Sequence, residues 1–187
     1  MKALKTLRSK FAAFTLIELL VVISIIAVLA SLALPAVTGA LVKGQITQTM
    51  SNYRQLYILS TSASLDSTAS GSTNGGYPGD FANLSGWSNT LVSNGYISAA
   101  SFGNLLAVKG QYTNTAVYSA TPSSNSSDVM LATANLSSNA VNNTAPYFTK
   151  GGCFVTVSGQ AVSISSTNSA AISALTNGIT WPSTKLQ

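Results

Sequence analysis

Hydrophobic and polar positions fall into three regimes along the chain. Residues 14–34, FTLIELLVVISIIAVLASLAL, are apolar almost without interruption and include one charged residue, Glu18. At about 1.5 Å per residue this run reaches about 31 Å as a helix, the thickness of a bilayer core. Beyond Pro35 the pattern becomes amphipathic. Val42, Ile46, Met50, Tyr53 and the pair Leu56/Tyr57 recur at spacings of three and four, with polar residues between them. The two regimes together predict one long helix over residues 14–62, with 14–34 spanning a membrane. Pro35 lies inside it and removes one backbone donor, so a kink or loosened turn is expected there.

The third regime is a small outer domain. Residues 63–80 are rich in Ser, Thr and Gly and predict a flexible loop that ends in the turn sequence GGYPGD. Residues 81–187 predict the domain itself. Phe81, Leu84, Trp87, Leu91 and Val92 suggest a helix over about 85–93, closed by Asn94-Gly95, and a second short helix covers about 98–108. Strands are expected at 112–120, 129–135, 152–158 and 160–166, the last two forming a hairpin about Gly159. ISALTNGITWP suggests a short helix and turn. The fold class is α+β: a long N-terminal helix packed on a small domain of short helices and an antiparallel sheet.

Composition narrows the function. Charged residues make up 7% of the chain, and the net charge of +5 comes largely from Lys2, Lys5, Arg8 and Lys10. The five later basic residues, Lys43, Arg54, Lys109, Lys150 and Lys185, are scattered, which argues against direct nucleic-acid binding. The chain has no histidine, so imidazole triads and imidazole metal ligands are excluded. Asp66, Asp80 and Asp128 lie far apart in turn-like sequence and do not suggest a carboxylate pair. No enzyme activity, cofactor or metal is expected. Cys153, the single cysteine, sits in the apolar run CFVTV and reads as a buried thiol, with an intermolecular bridge the alternative.

Three readings of the first 35 residues compete. A cleaved signal peptide could use the small residues of Ser31–Ala33, but the apolar run exceeds a usual h-region and contains Glu18. A plain anchor accounts for the length and leaves the carboxylate as a cost of roughly 2.5–3.5 kcal/mol deep in the membrane. In the third reading, the basic leader MKALKTLRSKFAA followed by FTLIELLVVISIIAVLASLALP resembles the N-terminus of type IV pilins and type II secretion pseudopilins.

That resemblance implies cleavage between Ala13 and Phe14 by a prepilin peptidase and N-methylation of Phe14. The family commonly has Gly at the position of Ala13, and alanine is the small replacement. Residues 1–13 would then be a leader that is removed. Glu18, four residues beyond the new amine, lies one turn down the same helix face. There the two charges can relieve each other's desolvation. The resemblance assigns Glu18 to the amine of a neighbouring subunit, which sets axial register. It also associates a proline near Pro35 with local melting of the helix in the filament.

The implied partners are identical or related subunits through the N-terminal helix, the prepilin peptidase, an inner-membrane assembly platform and membrane lipid. The basic flank predicts a cytoplasmic N-terminus with the outer domain on the other side. Assembly would carry the subunit into a periplasmic or surface filament. Many pilus subunits carry paired C-terminal cysteines, and this chain has one cysteine, which favours a pseudopilin. The alternatives are a type IV pilus subunit for adhesion, motility or DNA uptake, and a secreted or anchored binding protein.

Overall fold

The computed structural model describes residues 14–72, 75–138, 140–165 and 168–186. The chain divides into two compact units, Met1–Gly39 and Ala40–Gln187. In the first unit, the side chains of residues 14–39 are all exposed. From Leu16 on they belong to the first part of helix α1, Leu16–Ala69, which continues through Pro35. The Thr38 hydroxyl donates to the Pro35 carbonyl at 3.0 Å.

In the second unit α1 buries one stripe: Ile46, Thr49, Tyr53, Leu56, Ser60 and Ala63, at alternating spacings of three and four. The helix does not stop at Ser62, and residues 63–69 are not loop. Ala63 carries the buried stripe one turn further. The Ser and Thr hydroxyls of this stretch donate back to helix carbonyls, as Ser67 and Thr68 both do to Ser64. Those bonds satisfy the polar side chains without breaking the helix.

Helix α2, Leu84–Ser93, starts at Asn83, whose side chain accepts from Gly86 N at 2.8 Å. It ends at Asn94-Gly95, with Gly95 at φ +79° and the Tyr96 N–H returning to Leu91 O. Helix α3, Ala99–Leu106, is capped by Ser98. Trp87 of α2 is fully buried, donates its indole N–H to Gly76 O at 2.9 Å and meets Phe102 of α3 edge-on at 5.2 Å.

The sheet is an antiparallel meander in the order β1 (Thr115–Val117), β2 (Val129–Thr133), β3 (Gly152–Thr156), β4 (Ala161–Ile164). The strands are shorter than the hydrophobic runs suggest, and β1 starts late because Tyr112–Asn114 forms a 3-10 turn before it. The β3–β4 hairpin turns at Gly159, φ +79°, where a Cβ would lie 2.5 Å from the Tyr57 ring of α1.

Every residue of β2 and β3 is buried because both sheet faces are covered. Met130, Leu131, Cys153 and Val155 join the core with Tyr53, Leu56 and Leu91. A register shift between Val129 and Leu131 lets two successive residues, Met130 and Leu131, enter that core. On the other face Ala132, Phe154 and Ile164 pack with Ile172 of α4 (Ser169–Leu175) and with Trp181. The segment after α4 is tied down by Val129 N–Thr180 O at 2.9 Å and Leu186 N–Val117 O at 2.9 Å.

Candidate functional site

The chemistry expected from the sequence gathers at the start of α1. Thr15 precedes the first helical residue and its carbonyl accepts from Leu19 N at 3.3 Å, which makes it the N-cap. Glu18 is the third helical residue. Its Oε2 accepts from Thr15 N and from Thr15 Oγ1, each at 2.8 Å, while Thr15 Oγ1 accepts from Glu18 N at 3.3 Å. This is a reciprocal capping box. It satisfies two amides that would otherwise have no partner at the helix end. It also sets the carboxylate at the positive end of the helix dipole.

In the uncleaved chain the Phe14 nitrogen is a peptide N–H, so Glu18 faces no ammonium there. Phe14 itself is 75% exposed. Ala13 and the rest of the leader lie outside the described residues. The structure thus brings Glu18 into the same first turn as Phe14 and engages it with Thr15. Pro35 lies further along α1. The capping role of Thr15 was not among the sequence-derived expectations, although T-x-x-E before an apolar run is its local signature.

Following this turn, the described part of α1 contains a window long and apolar enough to cross a membrane, and none of that window is buried. Leu16, Leu32 and Leu34 are among the exposed large side chains. Such a surface requires lipid or protein cover.

The carboxylates of the outer unit are separated and individually occupied. Asp80 accepts from Tyr77 N at 3.0 Å, and burial outweighs that bond to push its carboxyl up. Asp128 accepts from Asn125 N at 3.1 Å in a turn. Asp66 is a residue of α1, not of a turn as its Ser-rich surroundings suggest, and it accepts from the Tyr96 hydroxyl. That bond raises the Tyr96 phenol. Cys153 is fully buried, and desolvation pushes its thiol up from 9.0 to about 12.

An exposed apolar helix with an acidic, capped first turn, followed by an α+β domain, fits a single-pass membrane-anchored protein. The prokaryotic N-terminal methylation motif matches residues 8–34, and this motif is the signature of type IV pilins and pseudopilins. The match spans the site just described, and residues 35–187 lie outside it. No curated protein and no solved structure matches the chain.

Proposed function

We propose that the protein is a pseudopilin-like structural subunit of a type II secretion-like system. A prepilin peptidase removes residues 1–13 and methylates Phe14. The mature chain waits in the inner membrane, its N-terminus cytoplasmic and its α+β domain on the outer side. An assembly platform then stacks copies through their α1 helices, and Pro35 provides the place where the helix loosens. The observation that carries this reading is the methylation motif over residues 8–34 on an apolar helix that none of the described residues covers.

Glu18 acts in two stages in this scheme. Before assembly it caps its own helix through Thr15. During assembly it receives the Phe14 amine of a neighbouring copy, which relieves two charges in an apolar setting. The single buried Cys153 supports the pseudopilin reading over a type IV pilus subunit with a C-terminal disulfide.

Mass spectrometry of the mature N-terminus tests the proposal. The expected result is N-methyl-Phe14. A mature chain starting at Leu34 would mean the segment only directs export and would overturn the assembly role.

A further inference from the structure

The second unit begins at Ala40, and the buried stripe of α1 begins at Ile46. Residues 147–151 dock on those first turns. The Tyr147 hydroxyl donates to Gln45 O at 3.1 Å and shares a 2.7 Å bond with the Thr49 hydroxyl. A Cβ on Gly151 would lie 3.0 Å from Ile46 Cδ1. Between Tyr147 and Gly151 the chain turns outward: Phe148 is 53% exposed, and Lys150 is exposed. Lys109, on a neighbouring loop, holds its Nζ 4.9 Å from the centre of the Tyr147 ring. Lys43 is exposed on α1, two residues before Gln45.

Backbone and charge both set this end apart. Among the described residues, Lys109 and Phe148 are the non-glycine positions with a left-handed backbone, each at φ +52°. A bulky side chain adopts that conformation only where its surroundings hold it there. At Phe148 the holder is Asn135, fully buried, whose Nδ2 donates to Phe148 O at 2.9 Å and to Gly151 O at 2.8 Å. Lys43, Lys109 and Lys150 are three of the five basic residues beyond the leader. No acid offsets them: Asp66, Asp80 and Asp128 accept from Tyr96, Tyr77 and Asn125, none of which belongs to this patch.

We propose that this end of the outer domain rests on an anionic lipid surface. The Phe148 ring enters the headgroup layer, and Lys43, Lys109 and Lys150 meet lipid phosphates. The inference rests on the proposed topology, in which residues 14–34 span the membrane. Six residues carry the chain from Leu34 to Ala40, a reach of at most about 22 Å however the chain bends at Pro35. That tether keeps lipid within reach of the patch at a high effective concentration. The remaining cations stand elsewhere. Arg54 is nine residues beyond Gln45 on α1, and Lys185 lies over the Tyr118 ring.

The test uses the full chain reconstituted in vesicles of phosphatidylcholine, alone or in equal parts with phosphatidylglycerol. Thr149→Cys, exposed beside Phe148, carries a fluorescent thiol label, and buried Cys153 stays unlabelled. Lipids with a nitroxide on the headgroup quench the label on contact. In anionic vesicles its quenching should exceed that of a label at Ile58→Cys by at least about threefold, and in phosphatidylcholine alone it should fall towards the Ile58 level. Phe148→Asn and the pair Lys43→Gln/Lys150→Gln should each lower it at least about twofold, while Arg54→Gln leaves it unchanged. Asparagine tolerates the left-handed backbone, so Phe148→Asn should keep the parent's unfolding midpoint in detergent.

Equal quenching at Thr149 and Ile58, equal quenching in the two lipid compositions, or Phe148 and lysine variants that match the parent would overturn the contact while leaving the membrane span intact. A Thr149 label shielded from water but not quenched by lipid would also overturn it and would put a second copy on the patch. If alkaline carbonate strips the parent chain from the vesicles, the membrane-span reading fails and this contact with it.

Discussion

Glu18 has two duties in the proposed scheme, and they respond differently to substitution. As a cap it needs only an acceptor, so Glu18→Gln should keep much of the helix start while Glu18→Ala loses about 1 kcal/mol there. As a charge partner it needs ionisation, so Gln should fail as completely as Ala. Filament recovery from both variants separates the duties: equal loss supports the ion pair, whereas near-normal assembly of Glu18→Gln leaves only the cap. The Thr15–Glu18 box is readable from four adjacent residues. The Asp66–Tyr96 bond spans thirty positions, and no local pattern encodes it.

Cys153 supplies a second prediction at this scale. Its folded value of about 12 lies above its ordinary 9.0, and burial likewise raises the Tyr53 and Tyr147 phenols. The folded chain thus holds protons that the unfolded chain releases, so stability is full below about pH 9 and falls as pH rises further. Denaturant unfolding at a series of alkaline pH values should show the midpoint moving down. A thiol reagent should label Cys153 in the unfolded chain but not in the folded one at neutral pH.

Among the elements, the hairpin about Gly159 is the sharpest point of contact between sheet and helix. Gly159→Ala meets both a left-handed backbone and the Tyr57 ring, whereas Gly178→Ala, at φ +77°, meets the backbone penalty alone. The first should cost about 2–3 kcal/mol and the second about 1 kcal/mol. Tryptophan-monitored unfolding in detergent measures the difference, and equal costs would mean the Tyr57 contact relaxes. Elements with local signals were legible. The Asn94-Gly95 stop and the Gly159 turn both follow from short-range chemistry. The continuation of α1 through residues 63–69 was not, because Ser and Thr favour turns until packing of Ala63 and back-bonding to carbonyls decide otherwise.

At the scale of the whole molecule, the sheet depends on residues far from it in sequence. Trp181 lies against Phe154 and Tyr118 at 5.5 and 6.0 Å, and Lys185 bridges to Tyr118. Deleting residues 180–186 should expose this aromatic cluster and make the outer domain sensitive to limited proteolysis. A truncated chain as resistant as the parent would show that α4 alone suffices. The two-sided cover explains why β2 and β3 read as continuous apolar runs rather than alternating ones. The sequence pattern indicated strands there, but which segment covers the second face is a long-range fact.

The anchoring of Leu186 on Val117 also has a temporal consequence. A ribosome delivers residues 180–186 last among the described ones, so β1 and β2 lack their Trp181 and Leu186 contacts until then. On the proposed topology, a subunit caught before those residues emerge keeps that face of its sheet only partly covered.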